Sequence, residues 1–294
     1  MLFAYKSSTF GSPDIYINNR KMKKCGIISL TLLALTICSC NGGKADKATN
    51  VNSAGTATET ITQQQNVVIN DTVKLDSYTD NSPVMRIDVT LEPVVLANPA
   101  ATGKAVREVS YIITGSEYDD LTTAGAQYIA KLKEQYLALR PEYIDIRANN
   151  DNPHWFNREY SVNSSCSNGY KEVVNYILDF FEYEGGAHPY SYKTVINFDR
   201  NDGHEVTLDE IMKEGYEEPL LGMMTESIMA FLNVGNITEL DQVIFDHNEL
   251  YIPKNVVIGS DKLTFIYNKY EIAPYAVGEI IAEIPYEKLK DILK

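Results

Sequence analysis

Two runs dense in aromatic and β-branched residues, YKEVVNYILDFFEY (170–183) and YSYKTVINF (190–198), are separated only by Glu184, Gly185-Gly186, Ala187, His188 and Pro189. Such residues fit a pleated surface, and a glycine pair marks a tight reversal, so the middle of the chain is committed to adjacent strands. Asn201-Asp202-Gly203 predicts a second reversal, with Glu205-Val206 on the returning strand. The 20 tyrosines and 9 phenylalanines of the 294 residues agree with β-rich packing, and 44% apolar residues suffice for a core.

Elsewhere the period of the apolar residues sets the elements. Residues 84–96 (VMRIDVTLEPVVL) alternate and predict a strand broken at Pro93, and 107–114 (REVSYIIT) predicts another. From Thr123 the spacing of Ala126, Ile129, Leu132, Tyr136 and Leu139 is that of one helix face, ended by Pro141. A strand follows at 156–166. Thr207 and Glu210 form a capping box opening a short helix that ends at Gly215. Pro219 starts the next helix, with Leu220, Leu221, Met224, Ile228 and Phe231 as its apolar stripe. Strands are expected at 249–252, 256–258, 262–267 and 279–284, and Pro285 opens a C-terminal helix facing the core through Leu289, Ile292 and Leu293. Runs of strands interrupted by helices, without strict βαβ alternation, describe an α+β fold with largely antiparallel sheets and two to four packed helices.

The N-terminal region reads differently. Met22-Lys23-Lys24, an apolar run from Gly26 to Ile37 and Ser39-Cys40 have the order of a lipoprotein signal peptide, with Cys40 as the lipidation site. Residues 1–21, ahead of the more natural start at Met22, read as a mispredicted extension. Residues 40–82 are polar, with no aromatic side chain before Tyr78, and read as a tether; the folded part is expected from about Pro83. The expected location is the cell envelope, lipid-anchored outside the cytoplasm. Once the five basic residues and one acidic residue before Cys40 are removed, 21 basic residues face 39 acidic ones, a net charge near −18. That field repels nucleic acid and favours a cationic partner. Cys166 is then the one cysteine after Cys40, which leaves no internal disulfide and suggests a lone buried thiol.

No phosphate loop, GxSxG or HExxH pattern occurs, and His154, His188, His204 and His247 lie far apart. Residues 199–210 resemble a calcium loop, but glycine falls at the fifth position instead of the sixth, so a β-turn explains them better. Neither a metal nor another cofactor is implied. The acidic pairs Asp119-Asp120 and Glu182-Glu184 read as charged solvent faces. His188 reads as a turn histidine, with ligand contact or catalysis as the alternative.

Glu184-Gly185-Gly186-Ala187-His188-Pro189, Asn197-Phe198-Asp199, Gly203 and residues 207–211 (TLDEI) resemble a signature of an uncharacterised bacterial extracellular domain. That domain also forms the lysozyme-binding part of the RsiV anti-sigma factor. Residues 270–278 (YEIAPYAVG) and Ile284-Pro285-Tyr286 resemble its C-terminal signature, and residues 84–195 resemble a companion domain found upstream of the PdaC peptidoglycan deacetylase. The resemblance implies a companion domain at 83–185 followed by an RsiV-like domain at 186–294. It also implies a non-enzymatic module that binds a partner such as lysozyme or another peptidoglycan-associated ligand. Gly185, Gly186, His188, Tyr190, Asp199, Tyr270 and Tyr275 are the family positions and candidate ligand contacts. Two alternatives stay open: an envelope glycan hydrolase or transferase with His188 in its site, and a structural component without a soluble ligand.

Overall fold

The computed structural model describes residues 65–149 and 153–294, and these described residues lie in one compact unit. The lipidation site Cys40, the signal segment 22–39 and the extension 1–21 lie outside the described residues. The architecture is α+β, with two mostly antiparallel sheets and helices packed on them.

The first sheet has five strands in the order β1 (Val67–Lys74), β2 (Val84–Leu91), β3 (Arg158–Asn168), β4 (Val173–Tyr183) and β5 (Tyr190–Asp199). Its one parallel pair is β2–β3, and parallel neighbours need a long crossover. That crossover is helical: α1 (Pro99–Thr114), α2 (Leu121–Leu137) and α3 (Arg140–Arg147). The core between helices and sheet takes Met85, Ile87, Val89 and Leu91 from β2, Tyr176, Leu178 and Phe180 from β4, and Val109, Ile113, Tyr128 and Ile129 from α1 and α2.

After β5, α4 (Leu208–Ile211), α5 (Glu217–Phe231) and α6 (Ile237–Leu240) lead to a three-stranded antiparallel sheet of β6 (Val256–Ile258), β7 (Lys262–Tyr267) and β8 (Ile280–Pro285). Leu220, Met224 and Ile228 of α5 join Leu263, Phe265, Ala282 and Ile284 in a second core. The two sheets meet along β5 through asparagine amides. Asn268 Oδ1 accepts the Lys193 N–H at 2.7 Å, Asn255 Oδ1 accepts the Val195 N–H at 3.1 Å, and Asn197 Oδ1 accepts the Ile258 N–H at 3.1 Å. Asn197 Nδ2 also donates to the Val256 carbonyl at 2.8 Å. An exposed strand edge leaves backbone groups unpaired, and here side-chain amides satisfy them in place of a sixth strand.

Several expectations are met. β3, β4, β5, β6, β7 and β8 form where strands were expected, the reversal at 201–203 brings Glu205 against Phe198, and the Thr207–Glu210 capping box is present. Others need correction. Residues 107–114 are the end of α1 rather than a strand; Asn98 caps the helix by accepting from the Ala101 N–H, Pro99 occupies the first turn, and Gly115 closes it. Buried Ala101, Ala105, Val109 and Ile113 carry its helical period. Pro141 begins α3 instead of merely ending α2, and Ala126 is exposed while Tyr128 is buried. Residues 249–252 form no strand, because Asp246 caps a 3₁₀ turn at His247–Glu249. α4 stops before Gly215 as Met212 leaves to bridge Leu293, and Pro285 ends β8 ahead of a single 3₁₀ turn, although Leu289 is fully buried. Phe231 is half exposed.

The expected tether is shorter than its composition suggests: β1 lies inside it, paired along its whole length with β2. Leu75 is buried, and the Asp76 carboxylate pairs with Arg140 (3.2 Å) and Arg147 (3.8 Å) of α3. The expected boundary at 185/186 falls within the first sheet, between β4 and β5, so β5 belongs with the strands before it.

Candidate functional site

The β4–β5 connection is a tight tip. Gly185 adopts φ +78°, a left-handed backbone that glycine takes without steric cost, and its α-carbon packs against the Trp155 carbonyl. Beyond it, exposed His188 stacks on Tyr275 with ring centroids 5.0 Å apart and planes inclined by 22°. Tyr275 comes from a 3₁₀ turn after Pro274, and its hydroxyl donates to the Pro189 carbonyl at 2.8 Å. Tyr270 lies 5.4 Å from the same ring, and Lys269 Nζ sits 5.1 Å from its centroid while donating to Ser191 Oγ at 2.8 Å. Tyr275 is thus enclosed, whereas His188 and Tyr270 face outward. Tyr270 also holds φ +67°, an uncommon conformation for a bulky side chain and of the kind found at functional sites.

Gly185, Gly186, His188, Tyr190, Tyr270 and Tyr275 therefore gather at one rim. Asp199 does not. It pairs with Val173 at the far end of β4, whereas Tyr190 pairs with Glu182, which puts Asp199 about 30 Å away along the strand. Its carboxylate accepts the N–H groups of Asn201 (2.7 Å) and Asp202 (3.2 Å), so its role is to shape the turn.

Beside that turn, His204 is held between Asp202 (Nδ1, 2.6 Å) and Glu210 (Nε2, 2.8 Å). The Glu210 carboxylate, then that of Asp202, hold the imidazole pKa above its ordinary value. Asp199, Asp202 and His204 are close enough to share a cation, as are Asp241, Asp246 and His247. A metal-ligating imidazole must offer a free lone pair, however, and both His204 nitrogens are already engaged by carboxylates. Internal ion pairing accounts for that cluster. At the second, His247 Nδ1 is likewise bonded to Asp241, at 2.8 Å.

The acidic pairs meet the solvent-face expectation at Asp119, Asp120 and Glu184, which are exposed. Asp119 pairs with Arg107 at 3.1 Å, and Asp120 also caps α2 through the Thr123 N–H at 2.7 Å. Glu182 is the exception, half-buried among tyrosines: burial, then the neighbouring Glu184 charge, push its pKa upward. The Cys166 thiol is partly buried, and burial and Glu92 push its pKa up as well, as expected of an unreactive cysteine.

Residues 209–287 match the model of a family described as a protein of unknown function (DUF3298). A crystal structure of a DUF3298 family member from Bacteroides fragilis superposes with a TM-score of 0.70 at 24% identity, covering 78% of this chain and 92% of that one. A DUF3298 family protein from Pseudomonas aeruginosa superposes with a TM-score of 0.52 at 18% identity, covering 78% of this chain and 93% of that one. No curated protein matches, and among the described residues no helix is long and apolar enough to cross a membrane. The family match holds Tyr270 and Tyr275, while His188 and the first sheet precede it. At these identities the shared property is the fold. The chain is thus similar to DUF3298 proteins in fold over most of its length and in sequence over residues 209–287.

Proposed function

We propose that this is a non-enzymatic envelope protein, anchored outside the cytoplasm by an acyl chain on Cys40, which docks a cationic partner at the rim of His188, Tyr270 and Tyr275. Lysozyme, or another peptidoglycan-associated ligand, is the partner class. The single observation that carries the reading is the stacking of His188 on Tyr275, which joins two signature stretches far apart in sequence. Outward-facing aromatic side chains on a pinned loop suit recognition. A net charge near −18 after Cys40 suits electrostatic steering of a basic protein. Acid–base catalysis would need a partner within hydrogen-bond reach of the imidazole; among the described residues His188 makes a ring contact with Tyr275 and no hydrogen bond to a carboxylate.

Titrating lysozyme into residues 60–294 at several salt concentrations tests the proposal; a chain starting at 81 would lose β1. The affinity is expected to weaken as salt rises, and Tyr270→Ala to weaken it by about fivefold or more, the cost of an energetically important contact. Absence of binding at every salt concentration removes lysozyme as the partner, and a salt-independent affinity removes the electrostatic argument.

A further inference from the structure

We propose that the docking surface continues from the rim across the loop after β7, and that at Tyr270, Tyr251 and Phe245 it takes arginine side chains of its partner, guanidinium on ring with a carboxylate alongside. This deepens the reading above and rests on it for the partner's identity, since Tyr270 belongs to both.

Six aromatic side chains are strongly exposed among the described residues, and three of them are fastened to one short segment, residues 270–272. Tyr270, 56% exposed, is part of it. Phe245, 57% exposed, is tied to it through its backbone, whose N–H donates to the Ile272 carbonyl at 2.9 Å. Tyr251, 44% exposed, is tied through its side chain: the hydroxyl donates to the Glu271 carboxylate, and the ring meets buried Tyr267 edge-on at 5.7 Å. Exposed aromatic residues scattered singly are ordinary, whereas a cluster on one loop marks an interaction surface.

Charge decides the kind of partner. Tyr270 is followed by Glu271, and Phe245 by Asp246. Neutral donors meet the Glu271 oxygens, the Tyr251 hydroxyl and the Asn268 N–H at 2.7 Å, so the carboxylate is fixed without its charge being cancelled. Asp246 accepts from the Asn248 N–H at 2.8 Å and from its side-chain amide at 2.9 Å, and Asp241 stands beside it, bonded to His247. The loop's own cation, Lys269, is turned to Ser191 and the Tyr275 ring. A ring beside a carboxylate attracts a cation, and a planar guanidinium stacks on one while bonding the other, which a compact ammonium does less well. The protein already uses this arrangement internally: Arg140 lies 5.6 Å over the Tyr78 ring while bonded to Asp76 at 3.2 Å.

Titrating hexa-arginine and hexa-lysine separately into the isotope-labelled protein, with the backbone amides followed by NMR, tests the surface. Hexa-arginine is expected to shift the amides of 245–251 and 270–272, to bind about threefold or more tighter than hexa-lysine, and to weaken as salt rises. Phe245→Ala and Glu271→Gln should each weaken it by about threefold or more. No shift in these two segments, equal affinities for the two peptides, or variants that bind like the parent overturn the proposal. So does an N-acetylglucosamine oligomer that shifts the same amides more strongly than hexa-arginine. The wild-type shift map decides even if a variant fails to fold. Lysozyme that shifts His188 but neither Phe245 nor Tyr251 overturns the extension and leaves the rim reading intact. Hexa-arginine binding here in a protein that ignores lysozyme supports the surface and counts against lysozyme as the partner.

Discussion

Gly185 and Gly186 are adjacent, yet alanine should have opposite effects at the two positions. At Gly185 the backbone is left-handed (φ +78°), which costs an L-residue about 1–2 kcal/mol. A Cβ there would also lie 2.6 Å from the Trp155 carbonyl carbon and 2.7 Å from Arg158 Nη1. Ordinary carbon contacts begin near ~3.5 Å, so β3's leading turn or the tip must shift, at a further cost of about 1–3 kcal/mol. The sum centres on about 3.5 kcal/mol, a lowering of Tm by roughly 7–14 °C for a folded unit of this size. At Gly186 no atom lies within 4 Å of the added methyl and φ is not positive, so alanine should be neutral or stabilise by up to about 1 kcal/mol through the unfolded chain. Thermal unfolding of both single variants beside the parent, monitored by far-ultraviolet circular dichroism, makes the comparison internally controlled. Equal midpoints for Gly185→Ala and Gly186→Ala would refute the argument that the tip is fixed by its approach to Trp155.

Asn197→Leu removes the amide that serves the Val256 carbonyl and the Ile258 N–H at the buried seam. Two stranded backbone groups at about 1–3 kcal/mol each should cost roughly 2–6 kcal/mol in urea unfolding, and a loss below about 1 kcal/mol would mean the seam is not held by this side chain. His204, raised in the folded state by Glu210 and then Asp202, contributes stability that is fully present below the unfolded imidazole pKa of about 6.5 and lost as pH rises through the higher folded value. His204→Gln should therefore flatten the stability–pH curve above neutrality, and an unchanged slope would show that the ion pairs contribute nothing.

The strands with aromatic and β-branched runs were legible because each buries one continuous face: β4 alternates Val174, Tyr176, Leu178 and Phe180 into the first core. Residues 107–114 misled because REVSYIIT has the composition of a strand; the decisive signals lay outside it, in the Asn98-Pro99 start and the Gly115 stop. β1 was hidden by polar neighbours, since VVINDTVK gains its stability from pairing with β2 rather than from its own composition. The asparagine seam had no local signal at all, because Asn255 and Asn268 become edge-satisfying groups only once β5 is folded beside them.

The same logic divides the signature positions. Gly185 and Asp199 serve the backbone: one permits a close approach, the other closes a turn, and they stand at opposite ends of β4–β5. Tyr275 is a fixing residue, with His188, Tyr270 and Lys269 against its ring and its hydroxyl bound to Pro189. Its loss would release both walls of the rim together. His188 and Tyr270 are what that arrangement leaves outward. The turn chemistry around them was visible in the sequence, but their meeting was not, because it depends on the β4–β5 tip and the loop after β7 arriving at the same place from different sheets.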